Sequence, residues 1–134
     1  MSVLRDDIER LQRRYDDGLS AAEIGTDELD LLDEFLDALE AGEIRAAEKR
    51  DGKWVANGWV KQGILLNFGL RNIETHVHGG VEYHDVLPLR DTADLPERGT
   101  RNTPNGTVVR RGAYVGGDAI LMSPAFVNIG AYVG

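Results

Sequence analysis

The chain contains no cysteine, which excludes disulfide bonds and thiol chemistry. It also lacks any apolar run of about 18 residues, the minimum that a membrane-spanning helix needs. The first residues show no apolar core of a secretory signal, because the sequence is charged from Arg5 onward. Together these absences predict a cytoplasmic chain without a membrane partner.

Basic residues are scarce as well, since 15 Lys and Arg stand against 23 Asp and Glu for a formal net charge of -8. Nucleic-acid binding relies on clustered Lys and Arg, so the composition predicts no nucleic-acid partner. Most of the acid lies within residues 16–43, whereas Arg101, Arg110 and Arg111 lie together near the C-terminal repeat. Such a basic cluster favours an anionic small molecule as ligand.

A six-residue repeat dominates the C-terminal part of the sequence. Helices have a period of 3.6 and half-buried strands a period of two, so neither predicts a period of six. A hexapeptide solenoid does, with a branched aliphatic side chain in the core and a small residue at the bend. The fold that this pattern resembles implies about three hexads in one turn. The alternative is a pair of ordinary strands. Three columns repeat together: Val109, Val115, Leu121, Val127 and Val133; Ala113, Ala119, Ala125 and Ala131; Tyr114, Ile120, Phe126 and Tyr132.

The repeat divides the chain into an N-terminal α+β domain over residues 1–106 and the start of a parallel solenoid over residues 107–134. A repeat unit buries its apolar face only against its neighbours, and roughly three or more stacked units are needed for stability. We therefore expect the sequence to be the front part of a longer protein, or a chain that completes its solenoid with a partner.

Apolar spacings of three and four predict three helices in the N-terminal domain. The first covers residues 3–15 and stops at Gly18, and the second covers residues 26–41, with Thr26 as N-cap and Gly42 as stop. The third covers residues 59–69 and stops at Gly69. The predicted buried stripes are Val3, Leu4, Ile8, Leu11 and Tyr15 in the first helix and Leu29, Leu32, Phe35, Leu36 and Leu39 in the second.

An Asp51-Gly52 pair between two short runs predicts a β-hairpin over residues 44–57, because both turn positions tolerate positive φ. Trp54 and Trp59 are expected to anchor the core rather than to face a ligand. Residues 81–88 are expected to be extended, and residues 91–106 to form a polar connector into the solenoid.

Three histidines lie in the glycine-rich stretch that follows the third helix. His76 and His78 could ligate a metal if His84 or a carboxylate supplied a third donor, but a plain loop is the stronger expectation. We therefore predict no metal ligand in this chain.

Two blocks of sequence resemble a known enzyme family. The first is Ile44-Arg-Ala-Ala-Glu-Lys-Arg-Asp-Gly-Lys-Trp-Val55 with Trp59-Val-Lys61, Leu65-Leu66 and Phe68. The second is Val109-Arg110, Gly112-Ala113, Leu121-Met122 and Val127-Asn-Ile-Gly-Ala-Tyr-Val133. Both are similar to the N-terminal portion of the bacterial 2,3,4,5-tetrahydropyridine-2,6-dicarboxylate N-succinyltransferases of the diaminopimelate route to lysine.

This resemblance implies that the repeat begins a left-handed parallel β-helix and that the protein is a homotrimer. It implies transfer of succinyl from the co-substrate succinyl-coenzyme A to a dicarboxylate substrate, with no metal and no tightly bound cofactor. It also assigns Arg101 to the binding of the dicarboxylate, because a guanidinium can hold a carboxylate with two parallel hydrogen bonds. A salt bridge from Arg101 to Asp94 or Glu97 is the purely structural alternative.

The family's catalytic carboxylates and coenzyme A contacts lie further along the β-helix than residue 134. We therefore predict no catalytic and no coenzyme-binding residue in this chain, and Asp118, the one acid inside the repeat, receives no catalytic role. We expect residues 1–134 alone to be inactive. The alternatives are a non-enzymatic oligomerisation module that docks on a full-length partner, and a metal-dependent carbonic anhydrase of the same fold. The second is disfavoured because residues 109–134 contain no histidine.

Overall fold

The computed structural model describes residues 2–134 as four helices and five two-stranded sheets, an α+β arrangement. No helix within this range is long and apolar enough to cross a membrane. The helices are α1 (Ser2–Asp16), α2 (Thr26–Glu40), α3 (Gly58–Leu70) and α4 (Asp94–Glu97). The strands are β1 (Ala47–Arg50), β2 (Lys53–Ala56), β3 (Glu74–His78), β4 (Val81–Asp85), β5 (Arg101–Asn102), β6 (Thr107–Val109), β7 (Tyr114–Val115), β8 (Ile120–Leu121), β9 (Ala125–Val127) and β10 (Tyr132–Val133).

The main core lies between α1, α2 and α3. The predicted stripes are largely confirmed, but Val3 is 72% exposed and Leu29 lies at the solvent edge. Tyr15 is exposed as well, so the buried stripe of α1 lacks two of its predicted residues and that of α2 lacks one. The buried core residues are Leu4, Ile8, Leu11, Leu32, Phe35, Leu36, Ala38, Leu39, Ile44, Val60, Leu66 and Leu70.

Glycines end α1 and α2 as predicted. Gly18 and Gly42 both have positive φ. After α2 the N–H of Glu43 donates to the carbonyl of Ala38 and the N–H of Gly42 to that of Leu39, the paired hydrogen bonds of a Schellman cap. The N-cap prediction was wrong: Gly25 takes that position and Thr26 is already helical, with no side-chain capping bond.

The predicted stop of α3 at Gly69 was also wrong, because the helix continues to Leu70. Gly69 serves helix packing instead. A Cβ at this position would lie 2.6 Å from the hydroxyl oxygen of Tyr15.

The predicted hairpin is β1–β2, turning at Asp51 (φ 49°) and Gly52 (φ 77°). Its strands are shorter than predicted, and Trp54 is 67% exposed, so its assignment to the core was wrong. Both strands of the hairpin are mostly exposed, and no described residue buries this ring. Trp59 is half-buried and meets Phe35 edge-on, with ring centroids 6.1 Å apart, which confirms it as a core residue.

Strands β3 and β4 form a second hairpin that the sequence analysis missed. Their antiparallel register runs from Glu74 opposite Asp85 to His78 opposite Val81. The turn is Gly79-Gly80, both with positive φ. A Gly-Gly pair between two short extended runs is a hairpin signal, and this pair was not recognised as one.

The last six strands pair in parallel at an almost constant separation. Tyr114 of β7 pairs with Tyr132 of β10, 18 residues later, and Thr107 of β6 pairs with Ala125 of β9 at the same separation. The interval of 18 equals three hexads, as the repeat predicted. The first column faces inward: Val115, Leu121 and Val127 are buried with Ala113, and Val109 and Val133 pack against them. We call residues 101–133 the stacked-strand region.

Sequence analysis placed Arg101 and Asn102 in an irregular connector, whereas they form β5. This strand already pairs in parallel with β8, Arg101 opposite Ile120. A strand of two residues is too short to produce a periodic signal of its own, so only its partner reveals it.

Helix α2 attaches the core to the stacked-strand region. The Glu40 carboxylate accepts hydrogen bonds from Arg111 Nη1 at 2.6 Å and from the backbone N–H of Gly112 at 2.8 Å. Arg111 Nη2 also contacts Asp37 at 2.8 Å. A Cβ at Gly42 would lie 2.9 Å from the Tyr114 ring, so the helix end and β7 are in close contact.

We predict that Gly63→Ala destabilises the chain, although alanine is about 1 kcal/mol better than glycine inside a helix. A Cβ at Gly63 would lie 2.4 Å from the ring of Phe35, which is fully buried and cannot move aside. Overpacking of this kind costs about 1–3 kcal/mol. Urea unfolding followed by circular dichroism measures the change.

Gly58→Ala is the matched control, since it lies in the same helix and its added Cβ would meet nothing within 4 Å. We expect this variant to be at least as stable as the parent chain. Equal stability of the two variants would contradict the close packing of α2 on α3.

Candidate functional site

Arg101 occupies a strand whose backbone is hydrogen-bonded to the neighbouring β8 segment before and after the residue. Its N–H donates to the carbonyl of Ala119 at 2.9 Å, and the N–H of Thr103 donates to that of Leu121 at 3.0 Å. The residue before it, Thr100, is buried and donates its hydroxyl to the carbonyl of Gly116 at 2.6 Å. Neighbouring side chains of an extended strand point in opposite directions, so Arg101 faces outward, where its side chain is exposed.

A buried ionic cluster holds the segment that leads into this strand. Arg90, with a side chain only 1% exposed, contacts Asp94 through Nη1 at 2.8 Å and Nη2 at 3.1 Å. Asp94 also accepts a hydrogen bond from Arg98. Both arginines reach the stacked strands, because Arg90 donates to the carbonyl of Ala113 at 2.9 Å and Arg98 to that of Val115 at 2.6 Å.

The pKa of Asp94 lies below its ordinary value, chiefly because of the hydrogen bond from Arg90 and further because of the charges of Arg90 and Arg98. The carboxylate is therefore ionised at neutral pH, and both of its oxygens accept hydrogen bonds from Arg90 or Arg98. Arg90 was not predicted as a structural residue, because nothing in the local sequence separates a buried arginine from an exposed one.

Arg101 does not form the salt bridge that was considered as the structural alternative. Asp94 is occupied by Arg90 and Arg98. Among residues 2–134 no carboxylate lies within 4.0 Å of the Arg101 guanidinium, Glu97 included. Its five N–H donors therefore face solvent on a rigid strand.

The three arginines that the sequence grouped together have different surroundings. Arg110 contacts Asp85 at 2.5 Å and Asn128 at 3.1 Å. Arg111 is held by Glu40 and Asp37 at the helix junction. Burial opposes the charge of Arg111, but the hydrogen bonds and charges of Glu40 and Asp37 outweigh it and raise its pKa. Of the three, Arg101 is the one without a carboxylate partner in the described residues.

The histidines do not converge on a metal position. Paired residues of an antiparallel hairpin share a face, so His76 and His78 lie on the side opposite to His84, which pairs with Thr75. His84 Nδ1 is 2.9 Å from the Thr75 hydroxyl. Within residues 2–134 no group of three His, Cys, Asp or Glu side chains is placed to hold a metal ion.

Asp118 lies at an exposed turn with positive φ (58°), and its N–H donates to the carbonyl of Arg98 at 3.1 Å. Asp is among the residues that tolerate this backbone region. The turn accounts for the residue, and the structure adds no chemical role.

A cavity of about 490 Å³ lies between α2 and the segments around residues 71–74 and 88–91. Its acids outnumber its bases. Its two arginines, Arg71 and Arg111, are already paired with Asp33 and with Asp37 and Glu40. Neither arginine of this cavity is therefore free to bind an anion. Arg101, which has no carboxylate partner among the described residues, lies outside the cavity.

We predict that Asp94→Asn lowers stability by about 2 kcal/mol at pH 7, because it removes the carboxylate that contacts the buried Arg90 guanidinium at 2.8 Å and leaves Glu40, 4.0 Å from Arg90 Nε, as its remaining counter-charge within residues 2–134. The folded-state pKa of Asp94 is lowered, so its contribution is complete above the ordinary value of 3.8 and is lost as the pH falls through the lowered one. Thermal unfolding at pH 7 and at about pH 3 should show the difference from the parent chain shrinking in acid.

Asp30→Asn provides the control, since Asp30 is exposed on α2 and forms no ion pair within the described range. A loss of stability for Asp94→Asn no greater than that of the control at pH 7 would contradict the role of the cluster.

Comparison with known proteins agrees with the resemblance. Residues 3–70 match the family described as Tetrahydrodipicolinate N-succinyltransferase N-terminal, about half of the chain. Three similar proteins carry the name 2,3,4,5-tetrahydropyridine-2,6-dicarboxylate N-succinyltransferase. The protein of Polynucleobacter asymbioticus is 45% identical over 105 residues, covering 74% of this chain and 38% of its own length.

The protein of Azoarcus sp. is 39% identical over 105 residues, which cover 75% of this chain and 38% of that relative. That of Yersinia enterocolitica is 34% identical over 136 aligned positions, covering 98% of this chain and 48% of the relative. The chain thus spans less than half of the length of these curated relatives. The match to the N-terminal family, together with relatives of one name along nearly the whole chain, shows that the chain belongs to the tetrahydrodipicolinate N-succinyltransferase family.

Proposed function

We propose that this chain is part of an N-succinyltransferase that transfers succinyl from succinyl-coenzyme A to an amine derived from tetrahydrodipicolinate, in the diaminopimelate route of lysine biosynthesis. The names of its relatives support the reaction class. In this proposal water adds to the C=N bond of the cyclic dicarboxylate and opens it to 2-amino-6-oxopimelate, whose amine nitrogen attacks the thioester carbonyl. The carbon–sulfur bond breaks, an amide forms, and coenzyme A leaves as the thiol.

The observation that carries the proposal is the free guanidinium of Arg101. Ion pairs engage many of the chain's other arginines, whereas Arg101 has no carboxylate partner among the described residues and is held by a hydrogen-bonded strand. A rigid, unpaired guanidinium can grip one carboxylate with two parallel N–H···O bonds at little ordering cost. Arg101 would therefore bind and orient the dicarboxylate without taking part in proton transfer.

Attack by the amine also requires a general base. We assign no residue of this chain to that role, because the positions of the family's catalytic carboxylates lie further along the β-helix than residue 134. Succinyl-coenzyme A would act as a co-substrate rather than as a bound cofactor, contacted by segments outside this chain.

We further propose that the stacked-strand region begins a left-handed parallel β-helix following an N-terminal domain, with the boundary near residue 107. The 18-residue pairing interval supports this, because it corresponds to three hexads per turn. In this proposal the protein works as a cytoplasmic homotrimer in which succinyl-coenzyme A lies along the groove between neighbouring β-helices.

The alternative is an oligomerisation module that docks on a full-length partner. One feature supports this alternative. Val108 of β6 pairs with Phe126 of β9, and both side chains are exposed, as are those of Ile120 and Met122. Outward apolar side chains stacked along strands are typical of a covered interface.

We predict that Arg101→Gln weakens binding of the cyclic dicarboxylate to this chain at least tenfold. The substitution removes a charge-assisted contact while leaving the strand's backbone bonds intact. Isothermal titration calorimetry or NMR titration measures the affinity. Arg10→Gln is the control, because Arg10 is an exposed arginine of α1. Undiminished binding by Arg101→Gln, or no binding by the parent chain, would contradict the assignment.

We predict that residues 1–134 alone release no coenzyme A from succinyl-coenzyme A and the dicarboxylate, because the catalytic segments are supplied elsewhere. A thiol-detection assay measures release. Mixing with a full-length relative, followed by native mass spectrometry, tests the alternative, which expects hetero-oligomers. Turnover by the chain alone that disappears in Arg101→Gln would refute our view, and the absence of any mixed complex would refute the docking module.

A further inference from the structure

A cavity of about 500 Å³ lies between α1, the β1–β2 hairpin and the first turn of α3. Three guanidinium groups line it, those of Arg5, Arg13 and Arg50, whereas Glu9 is the one carboxylate among its lining residues. The cavity is therefore locally positive in a chain of formal net charge -8. We call it the arginine cavity.

The three guanidinium groups keep N–H donors that no described residue engages. Arg13 has no carboxylate within 4.0 Å among residues 2–134. Arg5 pairs with Glu9 at 3.2 Å, but both side chains are exposed, and such a surface pair contributes little. Arg50 donates one nitrogen, Nη2, to Glu48 at 2.6 Å and to Asn57 at 2.8 Å. Because each guanidinium has five N–H donors, several donors remain open.

The walls of the arginine cavity are fixed by packing. Trp59 lines it with a half-buried ring that meets the fully buried Phe35 edge-on. Asn57 binds Glu48 and the carbonyl of Arg45, and its side chain does not cap α3. The first N–H groups of α3 border the cavity without a side-chain cap and add to its positive potential, although the guanidinium groups alone give its sign.

We propose that the arginine cavity binds a small polyanion carrying phosphate or carboxylate groups, held by Arg5, Arg13 and Arg50 against the ring of Trp59. Guanidinium groups match both oxyanions with paired hydrogen bonds, and several around one cavity suit a ligand with more than one charge. The volume falls within the range of small-molecule sites. This site is separate from Arg101 and does not rest on the proposed transferase reaction.

The test uses the fluorescence of Trp59. The chain has two tryptophans. Trp54→Phe replaces the exposed one on the hairpin and leaves Trp59 as the reporter. In this background we titrate inorganic pyrophosphate and, separately, malonate, at constant ionic strength set with chloride so that screening stays equal. We expect a saturable change with one-site behaviour, and the tighter of the two probes identifies phosphate or carboxylate as the preferred group.

Arg13→Gln should weaken binding of the preferred probe at least tenfold, and Arg50→Gln should do the same independently. Arg13 is exposed and unpaired within the described range, so its replacement leaves folding intact, which circular dichroism verifies. Arg10→Gln, in the same helix but outside the cavity, should bind as the parent does. No saturable signal with either probe, or equal weakening in Arg10→Gln, would overturn the proposal.

Discussion

The carboxylate of Glu40 is the contact on which the arrangement of this chain depends. It lies at the last residue of α2 and accepts hydrogen bonds from both the side chain of Arg111 and the backbone of Gly112. Two charge-assisted bonds to one carboxylate fix orientation as well as distance. The helical core and the stacked strands are thereby set in one relation, and the turn after α2 fits against Tyr114 only because residue 42 has no side chain.

Some arginines of this chain are paired with carboxylates and others are free, and exposure alone does not separate them, because the exposed Arg10 and Arg50 are also paired. Arg90 is almost completely buried and is neutralised by Asp94, since an unpaired buried charge would be strongly destabilising. The same cluster reaches the carbonyls of the stacked strands and so fixes the segment before Arg101. Arg101 is exposed, so its charge needs no carboxylate partner. Its N–H donors stay available on a backbone that hydrogen bonds to the β8 segment hold in place. In the arginine cavity, Arg13 has no carboxylate partner among the described residues, and Arg5 and Arg50 keep open donors beside their pairs with Glu9 and Glu48.

Local patterns predicted much of the fold. The 3.6-residue spacing located α1, α2 and α3, the Asp51-Gly52 pair located the first hairpin, and the six-residue columns identified which side chains face inward, because each signal depends on neighbours in sequence. The predictions that were wrong concern residues whose position depends on contacts distant in sequence. Trp54 was expected in the core, Gly69 at a helix end, and residues 101–102 in a connector, and each of these depends on which element lies against it.

The sequence by itself determined the family, the helical and repeat periods, and the candidate Arg101, because these depend only on residue types and their spacing. Only the tertiary structure decided which arginines are free. Arg101, Arg110 and Arg111 are alike in the sequence, but Asp85 and Glu40 approach two of them from 25 and 71 residues away. An ion pair forms where the fold brings charges within a few ångströms, and that distance is a property of packing rather than of local sequence.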